Sequence, residues 1–90
     1  MFERVRAWLQ ECRGKQAAIE RALRNFHETR GVVAMGGHAL AHDPQGTIVR
    51  VMYMTDHIPP NRAWFAVPAD DGEVRELSLD EVAHLETPWR

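Results

Sequence analysis

The sequence predicts an α+β domain: a long N-terminal helix packed on a small, strongly bent antiparallel sheet, followed by a short C-terminal helix. Three stretches carry that reading. Phe2, Val5, Leu9, Cys12, Gln16, Ile19, Leu23 and Phe26 recur at alternating spacings of three and four, the period of a helix with one apolar seam. Thr47 to Val67 holds two β-rich runs around a proline-containing connection, the pattern of a hairpin with a longer loop. Ser78-Leu79-Asp80-Glu81 has the form of a capping box, which opens a helix.

The seam predicts one helix over residues 2–29. Gly14 is expected opposite the seam, costing about 1 kcal/mol of propensity and no packing. Glu11 to Lys15 and Glu20 to Arg24 are acid-first i,i+4 pairs, which support a helix. Gly31 is a natural stop. At 1.5 Å per residue such a helix runs about 40 Å, more than a sheet of short strands spans. The seam can lie on its own sheet, pair with the same helix of a second chain, or do both along different parts. The overhanging part is where a partner is expected.

Val32–Met35 and His38–His42 are strand candidates, with Gly36-Gly37 between them as a tight turn or a bulge. Asp43-Pro44-Gln45-Gly46 has the residues of a type I turn. In the run from Thr47, Val49, Val51 and Tyr53 share one face and Ile48, Arg50, Met52 and Met54 the other. Neither face is polar throughout, so this strand is expected to be central and covered on both sides. Pro59-Pro60 blocks pairing in the connection Asp56 to Asn61. The next strand, 62–67, sets Ala63, Phe65 and Val67 against Arg62, Trp64 and Ala66. A turn at Ala69–Gly72, a strand over 73–77 and a helix over 79–86 complete the chain, with Val82 and Leu85 inward and Thr87-Pro88 as the stop. About five short strands with tight turns resemble an SH3-like barrel or a strongly bent sheet, an architecture that hosts many functions. Residues 1–90 read as one domain: helix 2–29, a β-rich part 31–77, and helix 79–86.

Hydrophobic content of 44% with 27% charged residues is globular composition. One cysteine forms no intrachain disulfide, so a short chain must rely on its core or on a partner. No apolar run of signal-peptide or membrane-span length occurs, and a cytoplasmic location is expected. The net charge of −2 divides unevenly: residues 1–30 hold seven basic and four acidic side chains, +3, and residues 31–90 four arginines and nine carboxylates, −5. The halves can attract each other, or the basic helix can meet an acidic partner.

Candidate chemistry is sparse. His38 and His42, four apart on a strand, are expected to face the same way about 13 Å apart, too far to share one metal. His57 with Asp56, and Met35, Met52 and Met54, would extend such a site. These methionines are expected to fill core and the histidines to sit on the surface. Cys12, on the seam, is expected to be a small buried hydrophobe. Asp70-Asp71 and Asp80-Glu81 have structural roles in a turn and a cap. No nucleophile elbow, phosphate loop or metalloprotease motif is present. No catalytic residue, cofactor or resident metal is therefore expected.

The residues point instead to a protein-interaction module. Trp8, Trp64 and Trp89 are many for a chain of this size, and tryptophan and arginine are enriched at binding hot spots. Trp8, Arg62, Trp64 and Trp89 are the candidate protein-binding residues, and a homodimer is expected from the overlong seam. Ten arginines to one lysine fit high-GC bacterial coding, and the size fits an accessory or inhibitor protein of a mobile element. One alternative is a nucleic-acid-associated regulator using a small barrel, with Arg50, Arg62 and Trp64 on one face, although the sheet half is acidic. A His/Met metal-binding protein is the other.

Overall fold

The computed structural model describes residues 2–54 and 61–86; at positions 2, 3, 7, 8 and 11 of the helix it describes the backbone alone. Helix α1 spans Phe2–Arg30. Strands β1 (Ala34–Asp43), β2 (Gly46–Tyr53), β3 (Asn61–Pro68) and β4 (Arg75–Leu77) follow, then helix α2 (Leu79–Val82). The strands form one antiparallel meander in the order β1-β2-β3-β4. The fold is α+β. The sheet is open, with β1 and β4 at its edges, where a closed barrel would pair its first and last strands.

Among the described residues four strands form where about five are expected, because Gly36-Gly37 does not turn the chain. Both glycines instead pair across to β2, Gly36 with Met52 and Gly37 with Val51. The two glycines lie inside β1, next to a register shift between Ala34 and Gly36. Val32 and Val33, expected in a strand, precede β1 and are exposed. The Asp43–Gly46 turn forms: the Asp43 carboxylate accepts the backbone N–H groups of Gln45 at 2.7 Å and Gly46 at 3.1 Å. The loop holding Pro59-Pro60 and the stop at Thr87-Pro88 lie outside the described residues.

One face of the sheet carries the core. Val49, Val51, Ala63, Phe65 and Val67 are buried against Ala18, Ala22 and Phe26 of α1. Phe26 lies 4.9 Å from the Tyr53 ring and meets Phe65 edge-on at 6.4 Å. The helix settles on the sheet through its small residues. A Cβ on Gly14 would stand 3.2 Å from His42 Cε1, and one on Gly37 would stand 2.9 Å from Ile19 Cγ2. Gly14 is thus a contact of the helix with β1 and not an idle position opposite the packing. The stripe Gly14, Ala18, Ala22, Phe26 recurs every four residues and meets the heptad seam only at Phe26. Among the seam members whose side chains are described, only the last, Phe26, is buried, with Ile19 and Leu23 half-buried.

Polar bonds fix the helix at two further points. The Arg21 guanidinium donates to the carbonyl oxygens of Pro68 at 2.7 Å, Asp70 at 3.0 Å and Gly72 at 2.6 Å. Arg30 lies over the Phe26 and Tyr53 rings, donates to the Tyr53 hydroxyl and pairs with Glu76. Gly31 ends the helix in the left-handed conformation, its N–H donating to the His27 carbonyl at 2.8 Å.

At the other end of the chain, the Glu81 carboxylate accepts the Ser78 backbone N–H at 2.7 Å. Leu77 and Val82 are buried on either side of this cap, as a hydrophobic staple requires. The helix is shorter than expected: it stops at Val82, and the Leu85 and Glu86 N–H groups both return to the Val82 carbonyl. That turn holds Leu85 and Glu86 half-buried.

Candidate interaction surfaces

The second face of the sheet assembles a polar cluster. The register aligns His38 with Arg50, Arg50 with Trp64, and Trp64 with Leu77 across the strands. Directly paired residues share a face, so this row lies opposite the core. Glu86, delivered by the C-terminal turn, closes on it. Its carboxylate accepts the Trp64 indole N–H at 2.7 Å and an Arg50 N–H at 3.1 Å, and stands 3.7 Å from Arg62. Three donors on two strands converge on one carboxylate, whose side chain is 14% exposed. Arg50 Nε is buried without a partner.

Arg62 and Trp64, two of the four candidate binding residues, therefore meet at one point, held from within the chain. Glu86 was the missed member. Four residues beyond Val82 of the hydrophobic staple, it is placed by the turn in which its N–H returns to the Val82 carbonyl. Trp89 and the Trp8 side chain lie outside what is described, so neither can be set against this cluster. Beside it, Met35, Gly36, Gly37, His38, Arg50 and Met52 line an open hollow of about 240 Å³. A second hollow, of about 400 Å³, lies over Ala41, Ile48 and Ala66 between Asp43 and Arg75.

The histidines separate. A second register shift between Ala39 and Ala41 inserts one residue between His38 and His42. His42 consequently faces the helix, its Nδ1 2.6 Å from the Thr47 hydroxyl, whereas His38 lines the hollow beside Arg50 on the other face. The expectation that both face one way fails on this bulge, because one extra residue reverses the alternation. Among the described residues no three His, Cys, Asp or Glu side chains gather as a metal site would require. His57 and Asp56 lie outside them. Met35 and Met54, expected in the core, are 60% and 46% exposed. With Val32 and Val33 they leave an apolar edge where β1 begins and β2 ends. Asp70 serves its turn, accepting the Gly72 N–H at 2.8 Å.

The N-terminal half of α1 forms the other surface. Val5 is 52% and Leu9 40% exposed, and Cys12 is exposed as well. The expectation of a buried Cys12 fails because the sheet supports α1 from Gly14 onward, and no residue before Gly14 whose side chain is described is buried. About twelve residues, or about 18 Å of helix at 1.5 Å each, project past the sheet with an apolar seam in solvent. Arg6 and Arg13, both exposed, flank it. Among the described residues no helix is long and apolar enough to cross a membrane.

Comparison of the chain with protein-family models, with curated proteins and with solved structures finds no match.

Proposed function

We infer that the protein is a non-enzymatic interaction module that docks another polypeptide along the projecting half of α1. The observation that carries this reading is the exposure of Val5 and Leu9, 52% and 40%, on a seam that continues in register into the half-buried Ile19 and Leu23. A helix takes its stability in a protein from burying its apolar stripe, and among the described residues nothing buries Val5 or Leu9. A second helix laid along i, i+3, i+4 and i+7 anchors would bury it. The Arg50–Trp64–Glu86 face supports the module as a scaffold, because its cations are met by an internal carboxylate. The same feature weighs against a nucleic-acid reading built on Arg50, Arg62 and Trp64.

Immobilised wild-type protein and the Leu9→Glu variant, challenged with native-host lysate and with an untagged copy of the chain, test the reading. Capture of polypeptide by the wild type, resistant to nuclease and lost in a variant of unchanged melting temperature, supports it. Capture abolished by nuclease, or undiminished in Leu9→Glu, overturns it.

A further inference from the structure

We propose that the occupant of the projecting seam is a second copy of this chain, its α1 parallel and in register, over the two heptads from Phe2 to Gln16. This rests on the reading of that half-helix as the docking element and names its partner.

Two observations select a parallel copy, and a third leaves room for it. The first is the seam's polar member. Phe2, Leu9, Gln16 and Leu23 occupy the a positions of the heptad and Val5, Cys12, Ile19 and Phe26 the d positions. Gln16 is exposed, and a polar a residue meets its own counterpart only when two helices run parallel and in register, where the side chains can hydrogen-bond to each other.

The second is charge. Arg6 and Arg13 are exposed and both stand at e positions. An antiparallel pair sets e against e and brings arginine to arginine. A parallel pair sets g against e, which keeps the e-position arginines of the two copies apart.

The third is the placement of the sheet. At 100° per residue, Val5, Leu9, Cys12 and Gln16 centre about 130° around the axis from the Gly14, Ala18, Ala22 and Phe26 stripe that rests on the sheet. Two-fold pairing through the seam then puts each sheet on the outer side of the helix pair, and neither obstructs the other. The pairing ends where Ile19 and Leu23 turn onto Gly37 of β1. Two heptads make a small interface, so the dimer is weak and reversible.

Cys12, the chain's single cysteine, provides the test. In the parallel pair it stands at a d position opposite itself, within disulfide reach. In an antiparallel pair that matches Leu9 to Val5, the two Cys12 residues are about 15 Å apart along the axis. Diamide, added as oxidant, takes two electrons and two protons from two thiols and leaves a disulfide. The purified chain is sedimented from micromolar to millimolar concentration, then oxidised under the same conditions. The expected result is a concentration-dependent dimer that cross-links through Cys12 at least tenfold faster than in Leu9→Glu or Val5→Glu, both variants melting as the wild type does. A dimer that persists but cross-links no faster than those variants overturns the parallel register and leaves the docking reading intact. A monomer of 10.3 kDa throughout overturns the second copy as occupant. If lysate capture then still depends on Leu9, the interaction-module reading survives; if it does not, both fall.

Discussion

The indole N–H of Trp64 donates to the Glu86 carboxylate at 2.7 Å, joining the middle of β3 to the C-terminal turn across the outer face of the sheet. Trp64 is thereby a half-buried tether, and truncating it should register in stability. We expect Trp64→Ala to cost about 2–3 kcal/mol, below the 3–5 of a fully buried aromatic, and Glu86→Ala about 1–3 kcal/mol, because two guanidinium groups and an indole lose their acceptor. Urea denaturation measures both. A Trp64→Ala protein as stable as wild type that had lost its partner would instead make Trp64 an interface anchor.

This cluster marks how far the sequence was legible. The alternation in β2 and β3 correctly separated Phe65 and Val67 from Arg62 and Trp64, because period-2 patterning reports the two faces of a strand directly. What covers an outer face is a matter of tertiary placement, and nothing local in Glu86 announces it. The α1 seam was legible as apolar but not as the sheet contact. Sheet packing selected the small residues Gly14, Ala18 and Ala22, whose value lies in the close approach they permit and not in hydrophobicity. The bulge in β1 that parts His38 from His42 left no signal, since register slips arise from pairing with β2. Likewise Gly36-Gly37 fitted both a turn and a bulge by composition, and only their pairing with Met52 and Val51 of β2 distinguishes them.

Gly46 of β2 lies against the β3 backbone. A Cβ there would lie 2.5 Å from the Val67 carbonyl oxygen and 3.1 Å from Pro68 Cα, backbone atoms that cannot swing aside. Gly46→Ala should therefore destabilise by about 1–3 kcal/mol, as overpacking does. Gly36, with open space beside it, is the matched control, and Gly36→Ala should change stability by less than Gly46→Ala. Thermal melts of the pair decide it; equal effects would refute the backbone clash.

Arg21 holds the β3–β4 turn by three carbonyl oxygens, those of Pro68, Asp70 and Gly72. Its planar fork reaches all three at once, which a lysine ammonium cannot do. Arg21→Ala should cost about 1–2 kcal/mol, discounted for partial exposure from the 1.5–3 of a charged hydrogen bond, and Arg21→Lys should recover less than half of the loss. Hydrogen exchange at the amides of residues 69–72 should accelerate in both variants. Unchanged exchange there, with stability lost, would mean that Arg21 acts through helix packing alone.

Glu81 supplies the pH dependence. The Ser78 backbone N–H and then the Arg75 guanidinium, 3.1 Å from the carboxylate, hold its pKa below the ordinary 4.5. A depressed folded-state pKa means that the ionised form is favoured by folding. Its contribution is therefore complete above about 4.5, the unfolded value, and is lost as the pH falls through the lower folded value. Glu81→Gln should be less stable than wild type at pH 7, and the gap should close on acidification below 4.5. Because the side chain is exposed, the gap should also narrow in high salt. Chemical denaturation of the two proteins in parallel from pH 7 to pH 3 measures it. A gap that held constant across that range would show that the lost interaction does not depend on the charge, and would leave Glu81 only its place in the α2 backbone.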